Sequence, residues 1–176
     1  SANTDEVPYT PPTNQYDGEH AWAKAVREMK WAAKAFKENV IDTGHLDPDN
    51  VEAVEQFLFD TEFGYGGQFD LLYEDDEGNT VLSDIKTSSA VRFDHKLQGA
   101  AYKHALESTG DVTVDRCEVI RLYPDDEVVE ISFSDDWDRS LRGLEYECLG
   151  LCDRAAVTFQ ETIDEATERL IGNDDE

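Results

Sequence analysis

Apolar and polar positions along this chain repeat with two different periods. From Gly18 to about Asn39, Trp22, Val26, Met29, Ala33 and Phe36 recur at helical spacing, which predicts a helix burying that stripe. Gly44, Asp47, Pro48 and Asp49 make residues 41–50 a turn region, the aspartates serving as cap or turn residues. Residues 51–63 carry Val54, Phe57, Leu58, Phe59 and Phe63; an opening that also reads as helix gives way to a first strand, turning back at Gly64–Gly67. Two short apolar strands follow, roughly Gln68–Tyr73 and Thr80–Lys86, around the polar loop Glu74–Asn79 with Gly78-Asn79 as turn residues. From Asp94 to about Glu107 the period is helical again, ending at Ser108-Thr-Gly110. Cys117–Tyr123 and Glu127–Phe133 predict two more strands around a Pro124-Asp-Asp126 turn. Asp135-Asp136-Trp137 is expected to cap a long amphipathic helix or helix pair reaching about Ile171, with Leu141, Leu144, Leu151, Val157, Phe159, Ile163 and Leu170 as apolar anchors. Residues 1–17, with three prolines before Tyr16, predict a flexible arm, 18–172 a single domain and 173–176 an acidic tail.

Charge enters this pattern where apolar residues belong. Side chains alternate along a strand, so Asp84 and Lys86 share one face while Val81, Ser83 and Ile85 share the other. A hairpin centred near Glu77 places Asp70 opposite Asp84, with Cβ atoms about 5 Å apart. Two carboxylates that close repel, and one takes up a proton unless a cation lies between them. A divalent metal resolves the conflict, and hard oxygen ligands favour magnesium or manganese. Beyond the hairpin, Gln98 and Tyr102 lie one helical turn apart on a common face, and the helix is expected to bring both back to the same end.

Three motifs in order, Gly66-Gly-Gln-Phe-Asp70, Asp84-Ile-Lys86-Thr87-Ser88 and Gln98-Gly-Ala-Ala-Tyr102, resemble those of the PD-(D/E)XK nuclease superfamily, in its RecB-like and lambda-exonuclease-like branch. A bare Asp-x-Lys is common by chance; the ordered set, with fourteen residues from Asp70 to Asp84 and twelve from Lys86 to Gln98, is far more specific. The resemblance covers about residues 18–160. It implies an α/β fold with a restriction-endonuclease-like core, a central mixed sheet flanked by helices. It also implies hydrolysis of DNA phosphodiester bonds with Mg2+ or Mn2+, as an exonuclease of recombination, repair or replication. Asp70 and Asp84 would ligate the metal, with the Ile85 carbonyl and further candidates in Glu55, which competes with Glu62, and His20. Lys86 would activate the attacking water, Gln98 would orient it or a phosphate oxygen, and Tyr102 would pack or touch DNA. Thr87, Ser88, Lys30, Lys34 and Lys96 would contact DNA. Some relatives hold an iron–sulfur cluster on four cysteines. With Cys117, Cys148 and Cys152 alone, no cluster is expected and the cysteines read as small buried hydrophobes.

Composition changes the setting. The chain has 41 Asp and Glu against 15 Lys and Arg, a formal net charge of −26. Its aromatic content and periodic segments argue for a folded domain with a carboxylate-coated surface, as expected in the cytoplasm of a halophilic source, where molar salt screens repulsion beyond roughly 3 Å. Lys24, Arg27, Lys30, Lys34 and Lys37 gather a third of the basic residues on the first helix, either as a solvated face or as a phosphate-facing one. DNA is the expected partner, with a single-strand annealing or recombination protein as a second candidate. No stretch approaches the roughly 20 apolar residues of a membrane span, no secretory pattern opens the chain, and an odd cysteine count suits a reducing interior. The alternatives are a catalytically weak DNA-binding accessory protein and an acidic non-nuclease protein that binds a basic partner.

Overall fold

The computed structural model describes residues 18–110 and 112–171, with side chains given for 21–110, 112–155 and Glu161. The arm and the acidic tail read from the sequence lie outside the described residues. Helix α1 (Gly18–Phe36) continues into a π-helical turn at Lys37–Ile41, and a short 3-10 turn at Pro48–Asn50 leads into β1 (Val51–Asp60). Asp47 caps that turn by accepting from the Asp49 N–H at 3.0 Å. Strands β2 (Tyr65–Glu74) and β3 (Thr80–Lys86), helix α2 (Phe93–Ser108), strands β4 (Arg116–Tyr123) and β5 (Val128–Phe133), and helix α3 (Leu141–Ile171) complete the order. β1 is a strand from its first residue, so the helical opening does not form.

The five strands lie in sequence order in one mixed sheet. β1, β2 and β3 form an antiparallel meander, α2 crosses over to make β4 parallel to β3, and β5 closes as a hairpin. This is the α/β, restriction-endonuclease-like architecture expected of the motifs. One face of the sheet packs Phe69, Leu72, Leu82, Cys117 and Val119 against Ala100 and Ala105 of α2 and Leu144 of α3. The other packs Leu71, Tyr73, Val81, Ile120 and Leu122 against Ala35 of α1 and against Val40 and Leu46 beyond it. Burying each of the larger side chains contributes about 1.5–3 kcal/mol.

Two packing expectations are corrected. In α1, Trp22 and Met29 are 44% and 66% exposed, and the face that packs is Trp31, Ala32, Ala35 and Phe36, about 100° around the helix from the expected stripe. Alanines on several faces allow close approach to the sheet from more than one direction, so the periodic signal was shared between two stripes. In α3, the cap is Ser140, whose hydroxyl accepts from the Gly143 N–H at 3.2 Å. Ser134–Asp136 instead forms a separate 3-10 turn ending at Trp137. Leu144 is fully buried, whereas Leu151 is 44% exposed. The side chains of Val157, Phe159, Ile163 and Leu170 lie outside the described residues.

Candidate active site

The site forms where the sheet opens. β2 and β3 pair from Glu74↔Thr80 to Leu71↔Ser83, a register whose next step sets Asp70 opposite Asp84, as the hairpin length predicts. There the ladder stops: the Ile85 N–H donates to Asp70 Oδ2 at 2.6 Å. The remainder of β2, from Asp70 back to Tyr65, stays with β1 and leaves β3.

From Asp84 a hydrogen-bonded line runs to α2. Lys86 Nζ donates to Asp84 Oδ1 and to Gln98 Oε1, both at 2.9 Å, and Gln98 Nε2 donates to the Tyr102 hydroxyl at 2.7 Å. The i, i+4 spacing on α2 aligns the last two. Gly67 seats the end of the line: a Cβ there would lie 2.6 Å from the Tyr102 hydroxyl. The second glycine of the Gly-Gly motif is therefore fixed by a close approach and not by a turn. Tyr65 anchors the same hairpin to α2 by donating to the Ala101 carbonyl at 2.7 Å.

Electrostatically the site is strained. Asp84 is buried, and burial pushes its carboxyl above the ordinary value; Lys86 pulls it down and the Asp70 charge pushes it up. Its Oδ2 is buried with no aligned hydrogen bond, although Lys86 Nζ lies 2.8 Å away. A carboxylate oxygen met only by the Lys86 ion pair, beside a second carboxylate, fits a hard divalent cation. Among the described residues no three His, Cys, Asp or Glu side chains converge on a common point, so a closed cage of the transition-metal kind is not formed.

The other expected residues divide. Glu55 lies across from Asp70 in the β1–β2 register, is exposed, and has φ +49°, a conformation rare for a side chain with a Cβ. Ala53 and Leu58 both pack into the α2 face although five positions apart, with the positive φ of Glu55 between them, while the β1–β2 register itself shifts earlier, between Val51 and Ala53. The His20 side chain lies outside the described residues. Thr87 lines a cleft of about 340 Å³ with Lys24, Met29 and Asp125, which brings α1 beside the end of β3. Ser88 turns into its own loop, donating to the Ala90 carbonyl at 2.8 Å. Lys96 is drawn away from the site to Asp138 at 3.0 Å and lies over the Trp137 ring. Lys30 and Lys34 are exposed on α1, and Lys34 meets Glu38 at 3.6 Å. One contributor was missed. Arg121 pairs with Lys86 in the β3–β4 register and holds the loop after it, donating to the Ser89 carbonyl at 2.9 Å. Its position in the strand parallel to the Asp-x-Lys strand was the available signal.

No protein-family model matches the chain, and no curated protein sequence matches it. Among solved structures it is similar to SSO0001, at 14% identity and a TM-score of 0.43, over 79% of this chain and 61% of that one. It is also similar to a candidate exonuclease from Eubacterium rectale, at 10% identity and a TM-score of 0.41, over 80% of this chain and 66% of that one. The chain thus spans less than two thirds of each, and at this level of likeness neither bears on its activity.

Proposed function

We propose that the protein is a divalent-metal-dependent deoxyribonuclease acting as an exonuclease in recombination, repair or replication. The observation that carries this reading is the line Asp84–Lys86–Gln98–Tyr102 beside Asp70, at the point where β2 leaves β3 and Asp84 keeps a buried oxygen without an aligned hydrogen bond. Asp70 and Asp84 would hold Mg2+ or Mn2+, which would supply a Lewis acid for the scissile phosphate and neutralise developing charge. Without a cation, Lys86 is the counter-charge of Asp84. Its ammonium, held between Asp84 and Gln98, would position the attacking water and favour its hydroxide-like form. Gln98 orients Lys86 through its amide oxygen, and Tyr102, pinned over Gly67, fixes the amide orientation of Gln98.

Labelled linear, circular and single-stranded DNA incubated with Mg2+ or Mn2+ across a KCl series tests the reading. Metal-dependent release of nucleotides from linear DNA, lost in Asp70→Asn and Asp84→Asn, is expected. No cleavage of any substrate with either metal at any salt overturns it.

A further inference from the structure

The mechanism leaves a buried titratable group beside the site unused. His95 sits at the third position of α2 and is 4% exposed. Arg92, just before the helix, carries only donors on its side chain, and those meet Asp94. The cap that forms therefore runs backward: the Arg92 N–H donates to His95 Nδ1 at 3.2 Å. Glu or Gln takes this part at the same position of an ordinary capping box. With Nδ1 accepting, the ring proton lies on Nε2. A second proton would set N–H against N–H and end the cap.

The site depends on where that cap holds the helix. His95, Gln98 and Tyr102 follow at intervals of three and four positions, along one face of α2. Gln98 lies one turn beyond the cap, and its Oε1 accepts from Lys86 at 2.9 Å. Between Lys86 and Arg92 the chain is a loop, tied to β4 where Arg121 bonds the Ser89 carbonyl. The cap fixes the other end of that loop, and with it the approach of Gln98 to Lys86. The surroundings keep the ring uncharged. Burial does most to push the imidazole below its ordinary value; Arg92 and Lys86 push the same way, and Asp94 opposes them. The positive end of the helix dipole also disfavours a second proton.

We infer that His95, as a neutral imidazole, is a positioning residue that fixes Gln98 against Lys86, and that its protonation in acid releases the head of α2 and that pair with it. The effect on turnover rests on the nuclease reading; the effect on Gln98 does not. Wild type, His95→Gln and His95→Ala are therefore compared from about pH 8 to about pH 5, on either side of the ordinary imidazole value. Melting temperature and the side-chain amide signals of Gln98 in NMR are read without metal, then kcat and KM on linear DNA with Mn2+. Near pH 8, His95→Gln should match wild type. His95→Ala should melt about 2–4 °C lower and lose about fivefold in kcat at unchanged KM. A histidine held neutral in the fold stabilises it above the unfolded value of about 6.5 and loses that contribution as pH falls below it. Wild type should therefore drift toward His95→Ala in all readouts as the medium turns acid, while His95→Gln, with nothing to protonate there, stays above it. Losses from the carboxylates are common to all three and cancel in the ratio of wild type to His95→Gln, which decides even where His95→Ala does not fold. A constant ratio across the range, or Gln98 signals alike in all three proteins, overturns the inference. So does equal loss of kcat in the Gln and Ala variants, which would make the ring itself the acting group. If the Gln98 and melting shifts appear and no DNA is cut, the nuclease reading falls and the positioning of Gln98 stands.

Discussion

Two polar clusters flank β3, and they differ in one respect. Toward the start of the strand, the fully buried Glu118 accepts from the Tyr73 hydroxyl at 2.9 Å on one oxygen and meets His45 Nε2 at 2.9 Å on the other. Next to it, Asp75 accepts from the Glu77 and Asn79 amides on Oδ1 and from Asn79 Nδ2 and Arg116 on Oδ2. Every carboxylate oxygen there has a donor. Toward the other end, Asp84 keeps one buried oxygen without an aligned donor and faces a second carboxylate. A satisfied buried network rigidifies a fold, while an unsatisfied one stores a demand for a ligand. Burial alone therefore separates neither cluster from the other; the pairing of the carboxylate oxygens does, since the unpaired atom beside Asp75 is Arg116 Nε and not an acceptor.

The largest effect should come from removing the demand. Asp84→Asn and Asp70→Asn are expected to lower cleavage by about 10³-fold, comparable to deleting a main source of transition-state charge stabilisation. Asp70→Asn removes the charge that pushes Asp84 up, so its melting temperature without metal should equal or exceed the wild type, whereas Asp84→Asn also strips Lys86 of its counter-charge and should melt slightly lower. A clear loss of stability in both would place Asp70 and Asp84 with the structural cluster.

Glu118→Ala should do the reverse. It leaves Tyr73 and His45 facing a void and should cost about 3–5 kcal/mol in urea unfolding. Turnover per folded molecule should stay unchanged. A specific loss of turnover in Glu118→Ala at full folding would break the division between the clusters.

How much of this was legible follows from the range of each interaction. The Asp70–Asp84 pairing depends on a short loop and the Gln98–Tyr102 alignment on one helical turn, so both could be read from spacing. The Tyr73–Glu118 and His45–Glu118 contacts join residues 45 and 73 positions apart, which no local pattern encodes. Lys96 carries the right charge near the right helix, but the choice of Asp138 as its partner is made by the α2–α3 packing. The docking face of α1 was ambiguous because alanine suits either side of that helix. The positive φ of Glu55 leaves no trace in composition.

A smaller effect is expected from Asp75→Asn, at about 2 kcal/mol for loss of a charged hydrogen-bond partner of Arg116. Burial alone would raise the Asp75 carboxyl, but its bonds from Asn79, Arg116 and the Glu77 amide outweigh burial and hold it well below the usual range. A carboxyl whose folded value is depressed stabilises the fold above its unfolded value of about 4 and loses that contribution as pH falls further. The melting-temperature gap between wild type and Asp75→Asn should thus be constant near neutrality and narrow below about pH 4. A gap that widens in acid would show that the Asn79 and Arg116 bonds do not govern this carboxyl.

The smallest effect should belong to the far end of the candidate site. Tyr102 touches neither carboxylate; it accepts from Gln98, which accepts from Lys86, so it acts as a positioning residue. Tyr102→Phe keeps the ring over Gly67 and removes only the hydroxyl. The freed amide of Gln98 is half-buried and can turn to water, so the cost to turnover should be about 1 kcal/mol, or roughly fivefold in kcat. KM should move little, because the hydroxyl reaches neither Asp70 nor Asp84. Gly67→Ala sharpens the point by displacing the ring itself, and should lower kcat more than Tyr102→Phe with the Asp70–Asp84 metal affinity intact. If Tyr102→Phe instead destabilised the protein as strongly as Glu118→Ala, the line from Lys86 to Tyr102 would be a structural network like the one at the start of β3.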